Sequence, residues 1–423
     1  MKKKIIVRGP ALSRSGYGEQ TRFALRALRA HEDLYEIYLA NTGWGQTGWM
    51  SEDTEERRWL DMLILKTQQY NIENQKRECE LQHVFDVSLQ VTIPNEWEKL
   101  APVNIGYTAG IETTKISPQW IEKSQMMDRI IVVSNHSKYG FDNTTYEVEN
   151  NQTGQKISDY RCRTPVEVVG YPVRKFEPAK VDLDFETDFN FLAVAQWGPR
   201  KNLDNTIKWF VEEFIDQEVG LVVKTSMVNN STTDRWHTRK RLKNILKDYP
   251  QKKCKVYLLH GEMSEEELSA LYNHKKIKAL VTLTHGEGFG LPIFEAAYYG
   301  LPVVAPDWSG QCDYLYMSEK RGKKKVQKAM FSRVDYDLQP IQQELVWDGV
   351  LIKESQWAYA RQGSYKMRLR EVFKNYSECE KTAKKLAKHV QNKYKADTLY
   401  KQFVSHLEDN TEEVLQPKEV FVV

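Results

Sequence analysis

The chain has 423 residues, of which 28% are charged, and its formal net charge is only +3. Its mean hydropathy is −0.62, and no apolar run approaches the roughly 20 residues that a membrane-spanning helix needs, which argues against an integral membrane protein. The length predicts two α/β domains, and so small a net charge does not by itself indicate a polyanion as partner.

The N-terminus and the cysteines predict a cytoplasmic protein. The first ten residues, MKKKIIVRGP, lack an apolar core long enough to direct export. The cysteines are odd in number and show no metal-ligand spacing; they are Cys79, Cys162, Cys254, Cys312 and Cys379. We therefore expect a reducing compartment, no metal site and no transmembrane segment.

The first half of the chain is predicted to alternate strands and helices. Residues 4–8 form a buried strand, and Gly16, Tyr17 and Gly18 precede a helix. A glycine loop at the tip of the first strand of an α/β sheet lies where ligands bind, although this one is not the GxGxxG dinucleotide fingerprint.

Two tryptophans stand in the loop-like stretch NTGWGQTGWM, over residues 41–50. The indole faces of Trp44 and Trp49 can stack on a sugar or a base, or they can pack beneath the loop. A charged helix is predicted to follow, to about residue 76.

The next strands lead to a candidate site residue. Strands are predicted at residues 84–91, 103–107, 129–134 and 166–169. Tyr107 and Thr108 stand at a strand end, and Glu112 lies just before the helix that Ser117 and Pro118 open. Glu112 is therefore expected to point into a cleft as an acceptor-binding or proton-accepting group, with helix capping as the alternative.

The domain boundary is predicted where periodicity stops. Residues 142–164 form a polar segment that is expected to be a surface excursion. Prolines and charged residues follow the strand over 166–169, so we expect an N-terminal domain over residues 1–172 and a second domain over 173–400. Residues 401–423 remain as the end of a final helix and a tail.

The second half restarts the alternation, which predicts a second Rossmann-like domain. Its first strand, residues 189–195, leads to the turn Arg200-Lys201-Asn202 and a helix. Lys224 ends another strand. His260, Gly261 and Met263 follow a third strand, and SEEELSALYNH then forms a helix whose acidic first turn suits the helix dipole.

The most informative stretch is ALVTLTHGEGFGLPIFEAAYYGLPVVA, over residues 279–305. It predicts a strand, a glycine-rich turn, a helix that begins near Pro292 and ends at Gly300, and a further strand. The helix begins with free backbone N–H groups, an arrangement suited to phosphate. Glu287 and Glu295 flank the turn. Because carboxylates repel phosphates, we expect these two acids to face hydroxyls or a developing positive charge.

This stretch resembles the donor-sugar signature of retaining glycosyltransferases of family GT4, which belong to glycosyltransferase group 1. The resemblance implies the GT-B fold, an α/β fold of two Rossmann-like domains facing a central cleft, with a C-terminal helix that crosses back to the N-terminal domain. It implies transfer of a hexose or pentose from a UDP-, GDP- or ADP-sugar to a hydroxyl acceptor, with retention and without a metal or other cofactor.

The resemblance also implies roles for individual residues. Glu287, Lys201, Arg200 and Glu112 would be catalytic. The donor would be bound by Gly16, Tyr17, Lys224, His260, Gly261, Met263, Gly288, Phe289, Gly290, Leu291 and Glu295, with backbone groups near residues 260–263 holding the base. The acceptor would be bound by Trp44, Trp49, Tyr107 and Thr108.

Two departures from the family pattern leave a second class of function open. Gln196 replaces a usual arginine, which Arg200 could compensate because a guanidinium grips a diphosphate in two places. Tyr107 and Glu112 lie in the region where many members have a histidine. A nucleotide-sugar-binding protein that no longer transfers is therefore an alternative.

The acceptor is open: a glycan, a lipid-linked intermediate, a protein or a small molecule. A hydroxymethylated base of viral DNA is a further alternative, because GT-B enzymes that decorate viral DNA exist and the tryptophan loop could hold an extruded base. Against DNA, the N-terminal half has slightly more acidic than basic residues.

The last part of the chain is predicted to be helical. Residues 355–376 and 377–407 carry apolar stripes at helical spacing, and the basic run 320–328 is expected to be a solvated loop.

Overall fold

The computed structural model describes residues 2–75, 84–149, 156–322 and 324–408. Within them lie two six-stranded sheets and three two-stranded hairpins. The strands are β1 Lys3–Gly9, β2 Tyr35–Asn41, β3 Val87–Gln90, β4 Val103–Thr108, β5 Arg129–Val132, β6 Tyr146–Glu149, β7 Lys156–Tyr160, β8 Val166–Val168, β9 Asn190–Val194, β10 Gly220–Lys224, β11 Lys255–Leu259, β12 Ile277–Val281, β13 Val303–Pro306, β14 Tyr316–Arg321, β15 Lys324–Ala329, β16 Ser332–Val334, β17 Tyr336–Pro340 and β18 Gln356–Ala360.

The helices pack on the faces of the two large sheets. They are α1 Gly16–Arg29, α2 Glu55–Gln75, α3 Pro118–Ser124, α4 Asn135–Asn143, α5 Leu203–Glu213, α6 Thr232–Leu246, α7 Glu265–Tyr272, α8 Leu291–Tyr299, α9 Cys312–Leu315, α10 Gln362–Lys374, α11 Tyr376–Lys393 and α12 Ala396–Ser405. The predicted α/β architecture with two Rossmann-like sheets is confirmed.

Both large sheets are parallel, and each reverses its strand order near the middle. The N-terminal order is β2-β1-β3-β4-β5-β8, and the C-terminal order is β11-β10-β9-β12-β13-β16. Ligands of open α/β sheets bind beyond the carboxyl ends of the strands at such reversals. In the C-terminal sheet this point lies between β9 and β12, so the loops after these two strands are brought together.

The boundary predicted after residue 172 falls between the sheets. The strand β8 ends the first sheet at Val168, and β9 begins the second at Asn190. The division into residues 1–172, 173–400 and 401–423 remains a prediction, and residues 409–423 of the tail lie outside the described part of the chain.

The end of the chain returns to the first sheet. Helix α12 packs on α1, with the rings of Phe403 and Phe23 5.2 Å apart, so the predicted crossing helix is confirmed. Near the hinge, the backbone N–H of Val173 donates to the carbonyl of Tyr394 at 2.8 Å. The ring of Phe289 packs against Tyr171 at 5.1 Å, which gives the two halves one continuous apolar core.

Three sequence predictions about local structure are wrong. Gly16 and Gly18 do not precede a helix but form the first turn of α1, which Ser15 caps by accepting from the N–H of Gly18. The basic run 320–328 is not a loop, because it lies on the antiparallel strands β14 and β15. Residues 356–360 are not helical, because β18 pairs with β17 before α10 begins.

In the polar segment predicted over residues 142–164, the described residues 142–149 and 156–164 are mostly exposed and include the antiparallel strands β6 and β7, as expected of a surface excursion.

Residues 341–355, which connect β17 to β18, reach across to the N-terminal sheet and are called the strap below. Val350 is only 5% exposed and packs into the core cluster around Trp97 and Trp120. The carbonyl of Gly349 accepts hydrogen bonds from Ser117 at 2.6 Å and from Asn95 at 3.0 Å. The strap is thus fixed to both halves of the molecule.

No helix in the described ranges is long and apolar enough to cross a membrane. Cys162, Cys254, Cys312 and Cys379 are free thiols, and Cys79 lies outside the described residues.

Candidate active site

A cleft of about 900 Å³ lies between the two sheets, and a cluster of four charged side chains stands in it. Lys201 Nζ lies 2.6 Å from one carboxylate oxygen of Glu287, and Arg200 lies 3.2 Å from the other. The guanidinium of Arg200 also lies 3.2 Å from Glu112, which comes from the N-terminal half. The structure therefore brings together all four residues that were predicted to be catalytic.

The topology explains why these groups meet. Arg200 and Lys201 lie on a 3₁₀ turn after β9, and Glu287 lies in the loop after β12. These are the neighbouring loops at the strand-order reversal. The N–H of His285 donates to the carbonyl of Arg200 at 2.8 Å, and the guanidinium of Arg200 donates to the carbonyl of Gly286 at 2.6 Å. One backbone and one side-chain hydrogen bond therefore hold the two loops together.

Glu287 is held as a carboxylate in a nearly buried position, where it is 7% exposed. Burial opposes its charge, but Lys201 and Arg200 outweigh burial and lower the pKa of Glu287 to about 2. Its backbone N–H donates to the hydroxyl of Ser309 at 2.8 Å. Ser309 takes a left-handed φ of 73°, and Gly310 follows because a Cβ there would lie 1.9 Å from the carbonyl oxygen of Gly288.

The turn that leads into α8 has the conformation that its glycines predict. Gly290 precedes α8 with a φ of 84°, Pro292 lies in the first turn, and Gly300 ends the helix with a φ of 81°. The backbone of residues 288–291 lines the cleft. Pro292 has no N–H, and the N–H groups of Ile293 and Phe294 donate to the carbonyl of Gly290 at 3.0 and 2.9 Å. The backbone N–H groups of residues 289–291 have no partner within the described part of the chain, so they are available to an anion.

Glu295 lies on α8 and lines the same cleft. Burial raises the pKa of Glu295 to about 7, against the opposing effect of a 2.7 Å hydrogen bond with the hydroxyl of Tyr272. Glu287 and Glu295 lie close to the start of the same helix but differ in protonation behaviour. Lys201 and Arg200 form direct ion pairs with Glu287, whereas Glu295 feels only the weaker effect of Arg174.

The predicted base-binding turn borders the cleft through Gly261 and Met263. Lys224 donates to the carbonyl of Gly261 at 2.7 Å and so fixes this turn. The ring of His260 is directed away, since its side chain is only 2% exposed and contacts Asp234 at 2.7 Å. Only the backbone at His260 could serve a ligand.

On the N-terminal side, Gly16, Tyr17 and Trp44 line the cleft. The ring of Tyr17 stacks on Trp44 with centroids 4.3 Å apart. The hydroxyl of Tyr17 lies 2.7 Å from that of Thr108, which is fully buried.

Two predicted acceptor-binding residues are buried away from the cleft, and each is corrected. Tyr107 is fully buried between Phe23 and Phe403, because β4 is covered on both faces as parallel strands are. Thr108 faces Tyr17 rather than the cleft. Trp49 is half exposed and follows Thr47 and Gly48, which line the cleft, so its acceptor-binding role stays a prediction.

The sequence did not single out four residues that shape the site. Ser309 positions Glu287, Tyr272 binds Glu295, Arg174 lines the cleft beside Glu265, and Trp347 of the strap lines it as well. Only Ser309 carried a usable signal, the turn-forming sequence WSG that follows the apolar strand β13. In the described part of the chain, no three His, Cys, Asp or Glu side chains are grouped so as to hold a metal ion.

Comparison with known proteins gives a family match in the C-terminal half of the chain. Residues 175–323 match the family model of glycosyl transferases group 1. The chain is similar to the serotype-specific mannosyltransferase WbdA of Escherichia coli, with 32% identity over 121 residues, or 28% of this chain and 13% of WbdA.

Solved structures share the fold over nearly the whole chain. Sucrose-phosphate synthase from Thermosynechococcus elongatus has a TM-score of 0.61 at 11% identity, covering 96% of this chain and 98% of that one. HepE from Anabaena, in complex with UDP and glucose, has a TM-score of 0.55 at 12% identity, covering 96% of this chain and 99% of that one. The predicted GT-B fold and the resemblance to group 1 glycosyltransferases are confirmed.

Proposed function

Because residues 175–323 belong to the glycosyl transferases of group 1, we propose that the protein transfers a sugar from a nucleotide-diphosphate sugar to a hydroxyl acceptor, with retention at the anomeric carbon. The observation that carries this proposal is the cluster in which Lys201 and Arg200 hold Glu287 beside the start of α8. A diphosphate needs positive charge and free N–H groups, and a sugar needs a carboxylate for its hydroxyls; this one place offers both.

The two cations have bonding capacity to spare for the diphosphate. The ammonium group of Lys201 has three N–H donors and uses one on Glu287. The guanidinium of Arg200 has five and already contacts Gly286, Glu287 and Glu112, which leaves two. A diphosphate can therefore bind without displacing Glu287. Together with the amides at the start of α8, these groups would stabilise the charge that develops as the bond from the anomeric carbon to the diphosphate breaks.

Glu287 would bind sugar hydroxyls and offset the oxocarbenium charge of the transition state, as carboxylates do in glycosyl chemistry. Its low pKa keeps it ionised for this role. Glu295 would take the ribose hydroxyls, and the backbone of Gly261 and Met263 would hold the base. Glu112 stands on the acceptor side, where it would receive the proton of the attacking hydroxyl as the new glycosidic bond forms.

The donor class is proposed as a UDP-, GDP- or ADP-sugar, and the complex of HepE with UDP and glucose supports a nucleotide sugar. We propose that no bound metal ion is needed, because Arg200 and Lys201 supply the positive charge. Activity that is unchanged by a chelator would agree with this, and activity restored only by a divalent cation would contradict it. The cytoplasmic location remains a prediction.

The test is release of free nucleotide from a panel of UDP-, GDP- and ADP-sugars. We expect release from at least one donor, whereas a protein that only binds nucleotide sugars would release none. Lys201→Ala should abolish release while the protein stays folded, because the diphosphate loses its main cation. Lys208→Ala, an exposed lysine on α5, is the matched control. Full activity of Lys201→Ala would contradict the proposal.

A further inference from the structure

The strap places one tryptophan in the cleft. Trp347 is 57% exposed, yet its indole lines the same cleft as Glu112 and Arg200. Large apolar side chains are costly to expose, so an exposed indole at the wall of a cleft is a candidate ligand contact.

The backbone around Trp347 is held firmly. Its N–H donates to the carbonyl of Leu351 at 2.9 Å, and the N–H of Leu351 donates back at 2.8 Å. The turn between them includes Gly349, whose φ is 75° and whose Cβ would lie 2.0 Å from Gln119 of the N-terminal half. The buried side chain of Val350 fixes the turn on that half. The backbone that carries the indole is thus ordered in advance, so no entropy is lost in ordering the strap when a ligand binds.

The surroundings of Trp347 combine apolar and polar groups. Ile93 and Ile111 of the N-terminal half and Leu351 of the strap line the cleft on this side. Glu112 also lines it and is held by Arg200. Such a wall, mostly apolar with a few charged groups, is usual for a site that binds a small organic ligand in one orientation.

We propose that Trp347 is the platform on which a sugar ring of the acceptor stacks, so that the acceptor is a carbohydrate. This inference rests on the proposed transfer reaction and names its acceptor class. A pyranose has an apolar face of C–H groups and a rim of hydroxyls, which matches a cleft that offers both a flat indole and charged side chains. A lipid chain would instead leave Glu112 and Arg200 desolvated beside it, at considerable cost.

A binding experiment can test the platform without any activity. The full chain is labelled with 5-fluorotryptophan, and its ¹⁹F spectrum is recorded with methyl α-mannopyranoside, methyl α-glucopyranoside, glycerol or octan-1-ol. The Trp347 signal is identified by its loss in Trp347→Phe. Trp236 on α6 is a matched control, because it is also 57% exposed and lies outside the cleft lining; its signal is identified in the same way.

We expect at least one glycoside to shift the Trp347 signal while the Trp236 signal stays in place, and glycerol to shift neither. If no glycoside shifts the Trp347 signal, if octan-1-ol alone shifts it, or if both tryptophan signals shift equally, the inference is wrong. This binding experiment does not depend on whether the protein releases nucleotide from a donor. Failure of the proposed reaction is detected separately, by the nucleotide-release assay.

Kinetics then test the role in transfer, with the glycoside that shifts the signal as acceptor. Trp347→Ala should raise the KM for this acceptor about tenfold, while kcat and the hydrolysis of donor without acceptor stay unchanged. Trp347→Phe should recover part of the loss, and Trp236→Ala should have no effect. An unchanged acceptor KM in Trp347→Ala would overturn the assignment.

Discussion

Two ion-pair networks join the halves of the molecule, and they are built for different purposes. The central network consists of Glu112, Arg200, Lys201 and Glu287. The hinge network consists of Glu19, Arg22, Arg26, Glu56, Arg174 and Glu265. Both include partly or fully buried side chains, and both connect α1 or the loop after β4 to the C-terminal half.

The two networks differ in how many of their hydrogen-bond donors and acceptors already have partners. Glu19 accepts from three arginines, Arg22 at 3.2 Å, Arg26 at 2.7 Å and Arg174 at 3.0 Å. Burial opposes its charge, but these arginines outweigh burial and hold the pKa of Glu19 well below its usual range. Lys201, in contrast, retains donors that face the cleft. A saturated network stabilises the fold, whereas a network with spare donors can also bind a substrate.

The largest effect is expected in the central network. Glu287→Gln keeps the shape of the side chain but removes the charge that offsets the transition state, so transfer should fall by about 10³-fold. The unfolding temperature should also fall, because Lys201 and Arg200 lose their buried partner, but these two side chains are 20% and 30% exposed beside the cleft, so we expect the variant to stay folded at the assay temperature. Nucleotide release and a thermal melt of the same sample measure both quantities. A variant that keeps normal transfer would remove Glu287 from the mechanism.

The hinge network should show the opposite pattern. Glu19→Gln leaves three arginines facing one another, so we expect the free energy of unfolding to fall by about 3 kcal/mol at neutral pH. Because the pKa of Glu19 is depressed in the folded state, its contribution is present above about pH 4.5 and is lost as the pH falls below that value. Denaturant unfolding of wild type and variant at pH 7 and pH 3 measures it. If the free energies of unfolding of wild type and variant differed more at pH 3 than at pH 7, this prediction would be wrong.

The third effect concerns donor affinity and pH. Because the pKa of Glu295 is about 7, its carboxylate form increases as the pH rises through neutrality. A carboxylate accepts hydrogen bonds from ribose hydroxyls more strongly than a carboxylic acid, so the donor KM should fall about fivefold from pH 6 to pH 8. Glu295→Gln should flatten this dependence. If the variant shows the same slope as wild type, another group is responsible.

The smallest effect is expected at the rim of the cleft, where Arg14 lies 3.5 Å from Glu262. Both side chains are about one-quarter exposed, so water screens the pair. Glu262→Gln should change the free energy of unfolding by no more than about 0.5 kcal/mol and leave transfer unaffected. A loss comparable with that of Glu19→Gln would show that the rim, too, is part of the structural framework.

Local signals in the sequence were sufficient for the parts of the fold and site that depend on neighbouring residues. Apolar runs located most strands of the two large sheets, although β2 and β16 were not predicted. The glycines around Pro292 located the start and end of α8. Glu287, Lys201 and Arg200 could be singled out because each follows a strand at its carboxyl end. Their functional roles remain predictions.

What the sequence could not provide depends on contacts between distant residues. The ion pair between Glu112 and Arg200 joins loops that follow two different sheets, and no pattern in the sequence indicates this contact. Trp357 fits a helical stripe with Met367 and Leu369, but pairing with β17 makes its segment a strand. Tyr107 was assigned to the acceptor from its place at a strand end, yet burial of β4 on both faces puts it in the core.

The burial of Val350 in the N-terminal half affects where the cleft can open to admit and release ligands. Separation of the halves along the strap would expose this valine to water, at a cost of about 1.5–3 kcal/mol, and would strip the carbonyl of Gly349 from Ser117 and Asn95. The Arg14 rim is held by an ion pair worth roughly 1 kcal/mol at most. We therefore expect fluctuations that widen the cleft to occur more often at the Arg14 rim than along the strap.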